Sequence, residues 1–174
     1  MDEAALLSYL RSHIGDDVEP PVVADEPVNR AMVRNWCEAM CDTNPVYLDA
    51  AAAARSRHGG LVAPPTMIQA WFFPTLGTVR PPAGSLMSTL VQALRDAGYT
   101  SLVATDSDQR YVRYVRHGEL ITRRTTLAAV SDRKTTRLGA GFFVNTEAVV
   151  TTDGGDLICV IGYRRFYFRP AAKP

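Results

Sequence analysis

A chain of 174 residues suffices for one well-buried domain, and two would each be unusually small. Its 47% hydrophobic and 21% charged residues are ordinary for a globular protein, and a net charge of +1 gives no overall reason to expect nucleic acid or an anionic membrane as partner. Any anionic ligand would have to be met by a local cluster of arginines. No apolar run reaches the roughly 18 residues of a membrane helix, and the N-terminus Met1-Asp2-Glu3-Ala4 is acidic where a secretory signal is basic. The three cysteines, Cys37, Cys41 and Cys159, include no Cys-x-x-Cys pair. The expectation is a reduced, cytoplasmic protein without a metal. Cys37 and Cys41, one helical turn apart, read as core packing in preference to a zinc or redox pair.

In chain order, Asp2 to Ile14 reads as a short helix whose Leu6, Leu7, Leu10 and Ile14 share a face and which Gly15 stops. A proline- and acid-rich connector runs from Asp16 to Pro27. Asn29 then caps a second helix, with Val33, Trp36, Cys37 and Met40 as one apolar stripe. Asp42-Thr43-Asn44-Pro45 ends it, because proline disfavours the helical conformation of the residue before it. A short alanine-rich helix from Asp49 to Ser56 closes at His58-Gly59-Gly60. Pro64 and Pro65 set up a further helix start, followed by Met67 to Phe73, apolar nearly all round and so to be buried on every side. Pro74 and Gly77 terminate it.

From Leu102 onward the pattern turns to strands: Leu102–Tyr114, Glu119–Val130, Arg137–Thr152 and Asp156–Phe168. Phe142, Val144, Ala148 and Val150 alternate with Asn145, Glu147 and Thr151, the pattern of a half-buried strand. His117-Gly118 and Asp153-Gly154-Gly155 are the turns. The residues therefore predict an α+β fold: helices first, then an antiparallel meander curved around one buried apolar helix. Residues 1–27 are read as N-terminal helix and connector, 28–170 as the domain, and 171–174 as a tail, either a severed linker or a natural end.

The segment Asp42-x-Asn44-Pro45-x-Tyr47 resembles the hydratase motif of MaoC-like (R)-specific enoyl-CoA hydratases, Gly-Asp-x-Asn-Pro-apolar-His. Asp42, Asn44 and Pro45 match; Cys41 stands in place of glycine and Tyr47 in place of the catalytic histidine. Gly60-Leu61-Val62-Ala63-Pro64-Pro65-Thr66-Met67 is similar to the entry of the family's central helix, and Tyr111 to Glu119 to the strand and turn after it. The strings Asn44 to Asp49, Ala63 to Trp71, Asp96 to Tyr99 and Val103 to Thr105 resemble one subgroup. It is the N-terminal MaoC-like domain of the larger subunit of actinobacterial heteromeric hydratases acting on steroid side-chain enoyl-CoA thioesters. In that subgroup the chain often continues into a zinc-ribbon/OB-type domain.

The resemblance implies a hot-dog fold, a curved antiparallel sheet wrapped around a long central apolar helix. It also implies the addition of water to an enoyl thioester, with coenzyme A as part of the substrate and no other cofactor. That chemistry needs an acid–base pair, which the family draws from Asp and His, and an amide donor for the thioester oxygen at the central helix start. Both stations are altered here. A tyrosine with an ordinary pKa near 10 is a poor base at neutral pH, and Pro64 and Pro65 have no N–H. The expectation is a non-catalytic, acyl-binding subunit paired with a small hot-dog subunit carrying the intact Asp and His. Its acyl pocket would include Pro65, Thr66, Met67, Trp71 and Phe72. Two other readings stand beside it. One is a self-sufficient homodimeric hydratase or dehydratase using Asp42 with Tyr47 or His58. The other is a non-enzymatic acyl-CoA-binding scaffold that recruits a thiolase-like partner.

Several residues have a plain alternative reading. Asp42 reads as a turn-bonding carboxylate in preference to a remnant acid, Tyr47 as a half-buried aromatic with a polar partner, and His58 as a solvated turn residue. Arg110, Arg113, Arg116, Arg164 and Arg165 read equally as exposed sheet cations or as contacts to the phosphates of coenzyme A; Arg164 and Arg165 point to opposite faces.

Overall fold

The computed structural model describes residues 2–74 and 82–171. Gly77, expected to help end the apolar helix, and residues 172–174 of the tail lie outside them.

The first helix, α1 (Glu3–Ser12), is started by Asp2, whose carboxylate accepts the Ala5 N–H at 2.7 Å. Leu6 and Leu10 are buried. Gly15 follows with φ +98°, a left-handed turn that suits glycine, and the chain then runs back along the sheet. The amides of Gly15, Val18, Ala24 and Val28 donate to the carbonyls of Leu127, Thr125, Ile121 and Glu119. Within this stretch Val22–Val23 forms a two-residue strand, β1. The connector is thus an irregular edge whose Pro20, Pro21 and Pro27 lack the N–H groups of a regular strand.

Asn29 caps α2 (Arg30–Met40), with the Met32 N–H 3.0 Å from its side-chain oxygen. The short helices α3 (Pro45–Leu48) and α4 (Ala50–Arg55) follow. The apolar stretch then forms an eight-residue 3-10 helix, Pro65–Phe72, shorter than the reading of residues 64–73 suggested. Met67, Ile68, Trp71 and Phe72 are buried, while Thr66 and Phe73 are exposed. A separate helix, α5 (Leu86–Asp96), begins at Ser85, whose hydroxyl accepts the Ser88 N–H. Its stripe of Leu90 and Leu94 was not singled out in the sequence.

The strands are β2 (Ser101–Tyr111), β3 (Ile121–Val130), β4 (Lys134–Thr136), β5 (Gly139–Thr152) and β6 (Leu157–Pro170), close to the expected ranges except for β4. They form one antiparallel sheet in the order β1-β3-β5-β6-β2, with β4 beside β5. The meander is therefore corrected: β2 lies against β6, at the opposite edge from β1. Residues 112–120 are too long for a tight hairpin and cross the end of the sheet. The buried Val115 anchors them through the Ala63 N–H, 2.9 Å from its carbonyl. Register shifts at Ala104/Asp106, Leu127/Ala129 and Val150/Thr151 add twist and curvature.

Two apolar clusters line the concave face. One contains the 3-10 helix with Ile121, Ala148, Val150 and Ile161; the other contains α1 and α5 with Leu127, Val130, Phe142 and Val144. Between them the inward positions turn polar, at Arg123 and Thr125 on β3, Thr146 on β5, and Tyr163 and Arg165 on β6. The 3-10 helix covers one end of the sheet, and α1 with α5 covers the other. Among the described residues no helix is long and apolar enough to cross a membrane.

Candidate functional site

The segment 41–47 is first a set of turn and helix-cap bonds. Cys41 ends α2 in the left-handed conformation, φ 53°, which accounts for glycine being suited to this place. Its side chain is exposed, so it is not the core residue expected from its spacing; Cys37 and Cys159 are buried thiols. Burial pushes the Cys159 thiol up to about 11. Asp42 accepts the Asn44 N–H at 3.0 Å, and Asn44 accepts the Val46 N–H at 3.2 Å. Asp49 repeats the device for α4, accepting from Ala51 and Ala52, and these two bonds hold its carboxyl below the usual range.

Tyr47 points inward and is 6% exposed. Burial first, then the neighbouring Tyr114 and Asp42, push its phenol up to about 12. It is protonated at neutral pH and is no base there. Tyr114 lies beside it, with ring centroids 6.5 Å apart, and the His58 ring stacks on Tyr114 at 4.7 Å. His58 is thus a half-buried stacking residue and not the solvated one expected. Burial, Arg57 and Arg116 push its imidazole below the ordinary value. At the 3-10 helix entry Pro64 and Pro65 offer no donor and the Met67 N–H is taken by the Pro64 carbonyl at 3.1 Å. Thr66 is the first residue left that can serve.

A pocket of about 500 Å³ opens elsewhere, over the polar belt of the concave face. This volume falls in the range of small-molecule sites, about 300–1,000 Å³. Val18, Met87, Val91 and Leu102 supply apolar wall; Arg123, Thr125, Thr146, Tyr163 and Arg165 supply the floor. Arg123 pairs with Glu19 at 3.0 Å, the two side chains being 16% and 12% exposed. Its guanidinium also lies 5.1 Å from the Phe72 ring centroid. Its Nε is buried without a hydrogen-bond partner. Arg165 donates to the Thr146 hydroxyl at 3.2 Å and lies 5.3 Å from the Tyr163 ring centroid. Burial raises the phenols of Tyr163 and Tyr167, against the downward pull of Arg123 and Arg165 on the first and of Arg165 and Arg95 on the second.

The structure places the motif residue Tyr47 in the same apolar cluster as Met67, Trp71 and Phe72, away from the 500 Å³ pocket. Met67, Trp71 and Phe72 sit in the first apolar cluster, and Pro65 and Thr66 lie at the helix entry. None of these five lines the 500 Å³ pocket; from their helix, Gln69 does. The floor residues had a signal in the sequence: the inward alternation Phe142, Val144, Ala148, Val150 skips Thr146, and the same interruption recurs at Arg123 and at Arg165. Of the other arginines, Arg113 is held by Glu119 through two 2.9 Å bonds and Arg164 pairs with Asp106 on the outer face.

A curved antiparallel sheet with helices on its concave face is the hot-dog architecture. A family model described as FAS1-like, dehydratase domain region matches residues 12–160, and the chain belongs to that family, a MaoC-like one. It is 41% identical over 154 residues to the 3-oxo-4,17-pregnadiene-20-carboxyl-CoA hydratase alpha subunit of Mycobacterium tuberculosis, covering 88% of this chain and 49% of that protein. It superposes with TM-score 0.89 and 36% identity on a chain of the crystal structure of the ChsH1-ChsH2 complex from Mycobacterium tuberculosis, covering 99% of this chain and 96% of the other. The (R)-hydratase from A. caviae involved in PHA biosynthesis, at 17% identity and TM-score 0.58, covers 86% of this chain and 95% of its own, and shares the fold. The chain spans about half the length of the curated relatives it matches first.

Proposed function

We propose that this chain is the non-catalytic, acyl-binding subunit of a heteromeric trans-2-enoyl-CoA hydratase in the cytoplasm. The observation that carries the reading is Tyr47. The position that aligns with the family's base holds a buried phenol pushed up to about 12, beside an Asp42 whose oxygen already bonds the turn. The proline-capped helix entry supports it, since the thioester oxygen finds no amide at Pro64 or Pro65. The protons would then be moved by the Asp and His of a small hot-dog partner, and this chain would form the wall that receives the acyl group. The resemblance to a steroid hydratase alpha subunit and the 500 Å³ pocket together favour steroid side-chain thioesters.

The test is reconstitution. This chain alone, the small hot-dog subunit alone and their mixture are assayed for hydration of a steroid enoyl-CoA thioester. Activity confined to the mixture, or raised strongly by this chain, is the expected result. Turnover by the isolated chain would instead favour a self-sufficient enzyme, and a stable but inactive mixture a scaffold.

A further inference from the structure

We propose that the polar belt of Arg123, Thr125, Thr146, Tyr163 and Arg165 is a specificity element that receives an oxygen substituent of the acyl group, remote from its thioester. This rests on the reading of the chain as an acyl-binding subunit and deepens it. The inner face of a sheet under packed helices is ordinarily apolar. Here it is apolar at both ends and polar in the middle, and the polar part is the floor of the pocket. A purely hydrocarbon acyl group pressed onto that floor would strip water from guanidinium and hydroxyl groups and return no hydrogen bond.

The donors on the floor call for an acceptor. Arg123 is paired with Glu19 and its Nε is sealed from solvent, so it offers a ligand little. Arg165 is held by a 3.2 Å bond to Thr146, with further donor positions on a planar fork that suits oxygen acceptors. Against Arg95, Arg123 and Arg165, Glu19 is the one carboxylate among the described lining residues, so the floor favours an electron-rich oxygen over a donor. The fitting ligand has an apolar body against Met87, Val91 and Leu102 and an oxo or carboxylate group at its far end.

The experiment measures equilibrium binding of three saturated CoA thioesters of equal acyl length, ending in a methyl, a ketone and a carboxylate. The protein is the full chain, alone and with its small subunit. Both oxygenated thioesters are expected to bind about tenfold tighter than the methyl one, what one hydrogen bond to a charged donor supplies. Arg165→Met should cut that preference to about twofold or less, and Arg165→Lys should keep part of it. A wild-type protein that binds the methyl thioester as tightly as the others, or a preference that survives Arg165→Met, overturns the assignment while the acyl-binding role stands. Failure of all three to bind overturns both. Should Arg165→Met not fold, the three affinities of the wild type decide.

Discussion

Replacing Glu19 by glutamine tests how the pocket floor is held. Removing one partner of a fully buried ion pair costs about 3–5 kcal/mol, because the other charge is left in a poor solvent. Glu19 and Arg123 are 12% and 16% exposed beside an open pocket, so water relieves part of that penalty. The expected loss is about 2 kcal/mol, a fall in Tm of about 4–8 °C for a domain of this size. Arg123→Met alone should cost a similar amount by leaving the carboxylate unpaired. The double variant, Glu19→Gln with Arg123→Met, should lose clearly less than the two single losses combined, since no unpaired charge is left behind. Met at 123 would also rest against Phe72, where the guanidinium now stacks. Urea unfolding of the four proteins closes the cycle. Single-variant losses that simply add, with coupling below about 0.5 kcal/mol, would show that the pair does not hold the floor.

Three further outcomes follow from the packing. The Tyr47 phenol is raised in the folded chain to about 12, so its contribution is whole below the unfolded value near 10 and is lost as pH climbs through about 12. Urea midpoints at pH about 9 and about 11.5 should therefore fall less for Tyr47→Phe than for wild type. An equal fall would contradict the burial of that hydroxyl. Cys41→Gly should raise stability by about 1 kcal/mol, read by thermal unfolding, because φ 53° strains a residue with a Cβ; a destabilised variant would refute that geometry. Gly141→Ala should lower stability by about 3 kcal/mol or more, since its Cβ would collide with the Tyr167 carbonyl oxygen across the β5–β6 ladder. A midpoint unchanged by that methyl would refute the close approach.

The helix cap at Asn29 and the four long strands were legible because each is a local signal, a capping side chain or a two-residue alternation. Strand order was not: nothing local tells β2 whether to pair with β3 or with β6, and the crossing at residues 112–120 is fixed by distant contacts of Val115. Helix α5 was missed for another reason. Its buried Leu90 and Leu94 lie in a stripe shared with partly polar neighbours, weaker than the continuous apolar run before it. At the site, a phenol at Tyr47, where the resembled motif has histidine, could be read directly from the residue. The belt could not be found by looking for motifs, because Arg123, Thr146 and Arg165 lie on three strands and meet only through sheet register. Their trace was negative, a polar residue wherever the inward period called for an apolar one.

If no side chain of the segment 42–47 moves a proton, the kinetics of the assembled enzyme will show it. In the reconstituted hydratase, Asp42→Asn with Tyr47→Phe keeps the turn acceptor and the buried ring but removes both ionisable groups. The expected kcat is within about twofold of wild type, since neither group is asked for acid–base work. A fall of about a hundredfold or more, the usual loss when a general acid or base is removed, would place the chemistry in this chain and contradict the account.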